Sequence, residues 1–78
     1  MLNNIFSIRL YELRKSRNIS QAALGAAVGL SKQTINDIEK GRSKTIIDRA
    51  ILLADYFNVS LDYLTGRTDE PDNPNLKK

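Results

Sequence analysis

Apolar residues recur three and four apart along most of the chain, and each run is closed by Ser, Asn or Gly. This spacing predicts helices, because residues three and four apart share one face of a 3.6-residue turn. The first helix is expected from a cap at Asn3 or Asn4 to about Ser16, with Phe6, Leu10 and Leu13 as its core stripe and Arg14 at the border. Arg17 and Asn18 close it, since Asn tolerates the left-handed conformation, and Ile19 packs inward as a hydrophobic staple. Ser20 caps a second helix from Gln21 to about Val28, with Leu24 and Val28 buried. Its alanines favour helix and keep its surface slim. Gly29 allows a sharp reversal, Leu30 plugs the turn, and Ser31 caps a third helix from Lys32 to about Lys40, which Gly41 ends.

A fourth helix is expected from about Ile46 to Phe57. Its buried stripe is Ile47, Ala50, Ile51, Ala54 and Phe57, with Ile46 and Leu53 at the edge and Leu52 and Tyr56 left on the far face. Thr45 and Asp48 have the spacing of a capping box, with Asp in place of Glu. Asn58 ends that helix. Ser60 caps a short fifth one, Leu61 to Thr65, and Gly66 terminates it. Val59, Leu61 and Leu64 should close the core. The last twelve residues, RTDEPDNPNLKK, are polar with two prolines and no periodicity. They read as a disordered tail or linker, which leaves residues 4–66 as the folded domain.

Two helices joined by a short Gly-bearing turn, as in Ser20 to Gly41, form the helix-turn-helix pattern. In the third helix Ile35 and Ile38 fall on one side. Lys32, Gln33, Asn36, Asp37 and Lys40 fall on the other. An amphipathic helix alone would make that a solvated face. Its position in the second helix of the motif, with basic residues on either flank, makes it a reading face. Asn and Gln can read adenine N6 and N7, Lys can reach guanine O6 and N7, and Asp can accept from cytosine N4. Asp37 could instead point past the groove edge. Gln21 and Thr34 lie in the first turns of their helices, where N–H groups and the dipole favour a phosphate. Lys40, Arg42, Ser43 and Lys44 follow the reading helix as further phosphate contacts, and Arg9 and Arg17 are additional candidates.

The stretch SQAALGAAVGLSKQTINDIEKGR, with RLYELRKSRNIS before it and AILLADYFNVSLDYLTG after it, resembles the phage-repressor and Cro-type helix-turn-helix family, also called XRE-type regulators. The resemblance covers roughly Ile5 to Gly66. It implies an all-α, compact five-helix domain of the lambda-repressor type, with the helix-turn-helix at helices 2 and 3. The implied function is sequence-specific binding of double-stranded DNA as a transcriptional regulator, a repressor in particular. It places Gln21 on a phosphate and Lys32 and Gln33 on bases. It also ties Arg14 to Glu39, whose helix angle puts it beside Ile35 at the core boundary. A two-fold dimer is implied on a palindromic operator, with Tyr63 and Asp62 meeting the mate together with Thr45 and Ile46. Tyr63 should then point outward, although it could instead cover the core edge, and Leu52 with Tyr56 forms a rival patch. Gly25 departs from the family's Ala where the two helices cross. It permits close approach at a cost of about 1 kcal/mol in helix propensity.

Composition narrows the remaining classes. A chain of 78 residues makes one small domain with a modest core. It has no Cys and no His, which removes disulfides, thiolate metal sites, the commonest zinc ligand and the usual general base. No nucleophile elbow or phosphate-cradling loop is present, and the carboxylates are scattered. An enzyme is therefore not expected, nor any cofactor, metal or small-molecule ligand. The net charge of +3 lies in the folded part, because residues 67–78 carry three basic and three acidic groups. It gathers at Arg9, Arg14, Lys15 and Arg17 and again at Lys40, Arg42 and Lys44, which suits nucleic acid. No aromatic platform for RNA stacking is visible. The opening MLNNIFSIRL has no basic leader and too short an apolar run for a signal peptide, and no stretch spans a membrane, so a cytoplasmic location is expected. The competing reading is a protein-interaction module on the same fold, such as an antitoxin or a coactivator-like adaptor.

Overall fold

A computed structural model describes residues 2–42 and 46–71 of the chain. Five helices follow in order: α1 (Leu2–Ser16), α2 (Gln21–Val28), α3 (Lys32–Glu39), α4 (Ile47–Phe57) and α5 (Leu61–Thr65). The described residues contain no strand. The architecture is the all-α, five-helix arrangement that the sequence implies.

Three serines start helices as read from the sequence. Ser20, Ser31 and Ser60 sit in extended conformation and accept from the N–H of Ala23, Thr34 and Tyr63 respectively. Each satisfies a first-turn donor that has no partner within its helix. Gly29, Gly41 and Gly66 end α2, the turn after α3, and α5 with φ of 77°, 72° and 84°. Asn18 and Asn58 take the same left-handed conformation after α1 and α4. Two starts differ from expectation. α1 begins at Leu2, so Asn3 and Asn4 lie inside its first turn and do not cap it. α4 begins one residue late: its N-cap is Ile46, whose apolar side chain cannot bond an N–H. Thr45, Ser43 and Lys44 fall outside the described residues.

The core is one cluster. Phe6 and Leu10 of α1, Leu24 of α2 and Ile35 and Ile38 of α3 meet Ala50, Leu53, Ala54 and Phe57 of α4, with Val59 and Leu64 closing it. α2 crosses α3, while α1 packs on both α3 and α5. The stripe on α4 is rotated from the expected one. Leu53 is fully buried, whereas Ile47 and Ile51 are 60% and 44% exposed. Both stripes have helical spacing and share Ala50, Ala54 and Phe57, so the large flanking residues decide. Leu53 lies about 40° from Phe57 around the helix and Ile51 about 120°. Burying the bulky Phe57 therefore turns Leu53 inward and leaves Ile51 outside.

Gly25 is required by the crossing itself. A Cβ there would overlap the carbonyl oxygen of Leu30 and lie 3.3 Å from the carbonyl carbons of Leu30 and Ser31. The Leu30 N–H also donates to the Gly25 carbonyl at 2.8 Å, so the turn is pinned against the helix. Gly25→Ala is expected to destabilise the domain by about 1–3 kcal/mol, the usual strain of overpacking, even though Ala is about 1 kcal/mol the better helix former. Urea denaturation of the variant checks this. A midpoint equal to or above that of the parent would show that the turn yields without strain.

The chain does not leave the body at Gly66. Arg67 N–H donates to the Asp62 carbonyl at 2.8 Å. The Arg9 guanidinium donates to the Thr68 carbonyl at 2.7 Å and to the Asp69 carboxylate at 2.8 Å. The Ser60 N–H donates to the Pro71 carbonyl at 3.0 Å. Residues 67–71 thus fold back onto α1 and α5, because Arg9 and a free helix-start N–H bind their polar groups, an interaction that composition does not reveal.

Candidate nucleic-acid interface

The polar face of α3 stands opposite Ile35 and Ile38, both of which are buried. Lys32 and Gln33 are exposed in its first turn, and Asn36 and Asp37 are half-buried one turn on. Lys40 follows as the C-cap, and Arg42 is exposed beyond Gly41. The structure therefore gathers Lys32, Gln33, Asn36, Asp37, Lys40 and Arg42 on and just beyond one helix. Gln33 Nε2 donates to Asp37 Oδ1 at 2.9 Å. Arg42 Nη1 lies 3.8 Å from that same oxygen. Asp37 is thus a bracket between a candidate base reader and a candidate phosphate contact. The Arg42 N–H donates to the Asp37 carbonyl at 2.9 Å, which fastens the loop to the end of α3. Ser31 Oγ donates to Thr34 Oγ1 at 2.8 Å. The Thr34 hydroxyl therefore accepts one bond and keeps its own hydrogen to donate.

Beneath this face lies a buried ion pair. Arg14 Nε donates to Glu39 Oε2 at 2.6 Å and Nη2 donates to Oε1 at 3.0 Å. The two side chains are only 9% and 4% exposed. Arg14 Nη1 also donates to the Ile19 carbonyl at 2.8 Å. One guanidinium therefore ties α1 to α3 and to the loop before α2. The hydrogen bond to Glu39 raises the Arg14 pKa further above its ordinary value, outweighing burial, which lowers it; the Glu39 charge adds to the rise. A raised folded-state pKa stabilises below the unfolded value and is lost only as pH climbs through the folded one. That window is strongly alkaline, so Arg14 stays charged, and its contribution constant, through neutral pH.

Several candidates stand elsewhere than the sequence suggests. Gln21 faces inward: its Nε2 donates to Asn36 Oδ1 at 3.1 Å and to Glu39 Oε1 at 3.0 Å. Both amide hydrogens are used, so the side chain has none left for a phosphate. Arg17 donates to the Phe57 carbonyl at 2.8 Å and lies 5.4 Å from that ring. Arg9 donates to the Tyr63 carbonyl at 2.6 Å and sits 4.3 Å over the Tyr63 ring. Both arginines clamp helix C-termini, where carbonyls lack partners and the dipole favours a cation. They do not join the α3 face. Helix angles hold the signal for Arg9, which falls about 60° from Phe6, at the opposite border of the core stripe from Arg14. Tyr63 is correspondingly half-buried and packs against the core, covering its edge. Asp62 is exposed and lies 3.6 Å from Arg67. Ile46 is exposed, as are Ile47 and Ile51.

Among the described residues no group of His, Cys, Asp or Glu could hold a metal ion. No helix there is long and apolar enough to cross a membrane.

Comparison with known proteins gives a consistent family. The helix-turn-helix family model matches residues 10–64. The HTH-type transcriptional regulator YobD of Bacillus subtilis is 34% identical over 64 residues, which are 82% of this chain and 57% of YobD. The chain thus spans little more than half the length of that relative. Among solved structures, the P22 c2 repressor in complex with a synthetic operator has a TM-score of 0.72 and 32% identity, over 76% of this chain and 89% of the repressor chain. The restriction-modification controller protein C.AhdI from Aeromonas hydrophila has a TM-score of 0.74 and 26% identity, over 80% and 94%. With the serine-capped α2–α3 pair and a family match running from Leu10 to Leu64, this chain belongs to the helix-turn-helix family of the phage-repressor and Cro, or XRE, type.

Proposed function

We propose that the chain is a cytoplasmic, non-enzymatic transcriptional repressor that binds a palindromic operator in double-stranded DNA as a homodimer. The observation that carries this is the exposed polar face of α3, with its cations, held rigidly on the buried Arg14–Glu39 pair. The P22 c2 repressor, a structural relative, is complexed with a synthetic operator, which supports the same use of α3 here. Lys32, Gln33, Asn36 and Asp37 read base edges. Thr34, Lys40, Arg42, Ser43 and Lys44 hold phosphates, with the first-turn N–H groups of Gln21 and Ala22 on the other flank.

One reading helix covers only a few base pairs, too little to single out a genomic site, and two copies double the contacts. Asp62, Tyr63 and the start of α4 form the mating surface, where Ile46, Ile47 and Ile51 supply exposed apolar area suited to an interface core. Footprinting on a duplex enriched from a random pool tests the proposal. Two protected half-sites about 34 Å apart are expected. A single unsymmetrical half-turn removes the dimer, and enrichment of no duplex removes DNA binding. Gln33→Ala is expected to cost about 1–3 kcal/mol and to relax preference at one or two base pairs. An unchanged preference in the same selection would take Gln33 off the bases.

A further inference from the structure

The solvent side of α4 combines apolar and acidic residues that the packing of the domain does not use. Leu52 and Tyr56 are 45% and 39% exposed and stand about 40° from each other around the helix. Asp48 and Asp55 are exposed beside them. The two acids lie within about 20° of one line along the helix and about 10 Å apart, with Leu52 between them in sequence. Among the described residues neither carboxylate has an ion-pair or hydrogen-bond partner. Asp48 is in the first turn, where the helix dipole favours an acid. Asp55 is in the last turn, where the dipole disfavours one and no base of the turn offsets it. Arg17, which clamps the end of α4, reaches the Phe57 carbonyl and ring, about 160° around from Asp55. Arg49, the one cation of α4, is half-buried and about 100° from Asp48.

Charge decides what can cover this strip. Two free carboxylates repel a phosphate backbone and an anionic membrane surface. A second copy packed through the same strip would set acid against acid. The other exposed apolar pair, Ile8 and Tyr11 on α1, carries Glu12 beside Lys15 and so does not match two acids either. We propose that the strip docks an amphipathic helix of a second protein, one with Lys or Arg at two positions seven apart and apolar side chains three and four after the first. Seven residues are nearly two turns on either partner, which brings both cations into register with Asp48 and Asp55. The apolar side chains between them then cover Leu52 and Tyr56. Ile47 and Ile51 of the proposed mating surface lie on the other side of the acids.

Selection of helical peptides from a random library against the whole chain tests this. The enriched peptides are expected to carry Lys or Arg at i and i+7 and apolar residues at i+3 and i+4. Asp48→Asn with Asp55→Asn removes the charges, and Leu52→Gln removes the apolar contact. All three side chains are exposed, so the variants fold, which melting curves verify. The double Asn variant is expected to bind an enriched peptide about tenfold more weakly, the worth of two exposed ion pairs, and Leu52→Gln to lose a similar factor. Added salt should weaken the wild-type complex and leave that of the double variant nearly unchanged. Peptides that bind both variants as tightly as the wild type would overturn the inference, as would an acidic consensus or the enrichment of no peptide. Self-association in sedimentation that Leu52→Gln abolishes would give the strip to a second copy and overturn it too. None of these measurements contains DNA, so their outcome is separate from that of operator binding.

Discussion

Arg14→Ala and Glu39→Ala are each expected to lower the stability of the domain by about 3–5 kcal/mol, because each leaves one buried charge without its partner. Arg14→Ala also leaves the Ile19 carbonyl without the guanidinium that donates to it. Glu39→Ala removes the acceptor of one Gln21 hydrogen as well as that of Arg14. A domain of this size has about 4–12 kcal/mol in total, so either change removes a large share of it. The melting temperature should fall by more than about 10 °C, at roughly 4–8 °C per kcal/mol. Two solvated surface charges would give under about 1 kcal/mol, a result that would mean water reaches the pair. Replacing both partners with apolar residues of similar volume should recover most of the loss, since desolvating a pair costs nearly what its attraction returns. Thermal melts of the two single variants and the double variant check all three statements.

Leu53→Ala is expected to cost about 2–5 kcal/mol, as for a fully buried leucine whose cavity cannot collapse. Ile51→Ala and Ile47→Ala should stay within about 1 kcal/mol, since both side chains stand largely in solvent. The order distinguishes the observed face of α4 from the one that its spacing suggests. Equal losses at Leu53 and Ile51 would place both at the core edge and contradict the rotation set by Phe57.

That rotation shows where sequence reasoning stops. Helix existence and ends were legible because their signals are local: Ser20, Ser31 and Ser60 bond a donor three residues on, and Gly29 and Gly66 turn the chain where they stand. The α4 stripe was not, because two faces with identical spacing overlap and only packing against α2 and α5 chooses between them. The same division holds at the site. Which residues share the α3 face followed from arithmetic on one helix, and so did the place of Glu39 beside Ile35. The inward turn of Gln21 did not, since it depends on a carboxylate eighteen residues away on another element. Charge alone carries no direction, so by sequence Arg9 and Arg17 group with the cations facing DNA. Their donors go to helix-end carbonyls 54 and 40 residues away.

The meeting of α1 with α5 has a consequence for how the molecule forms. The Ile5 side chain lies 2.8 Å from where a Cβ of Gly66 would stand, and Arg9 holds carbonyls of Tyr63 and Thr68, 54 and 59 residues ahead of it. Bringing such distant segments together spends chain entropy before any contact returns it. A nascent chain can wind α2 and α3 early and lay part of the apolar side of α1 on α3, but the rest of that side stays uncovered until α5 has been made. The domain therefore has no stable first half, and its folding is a single cooperative event that waits for the last helix.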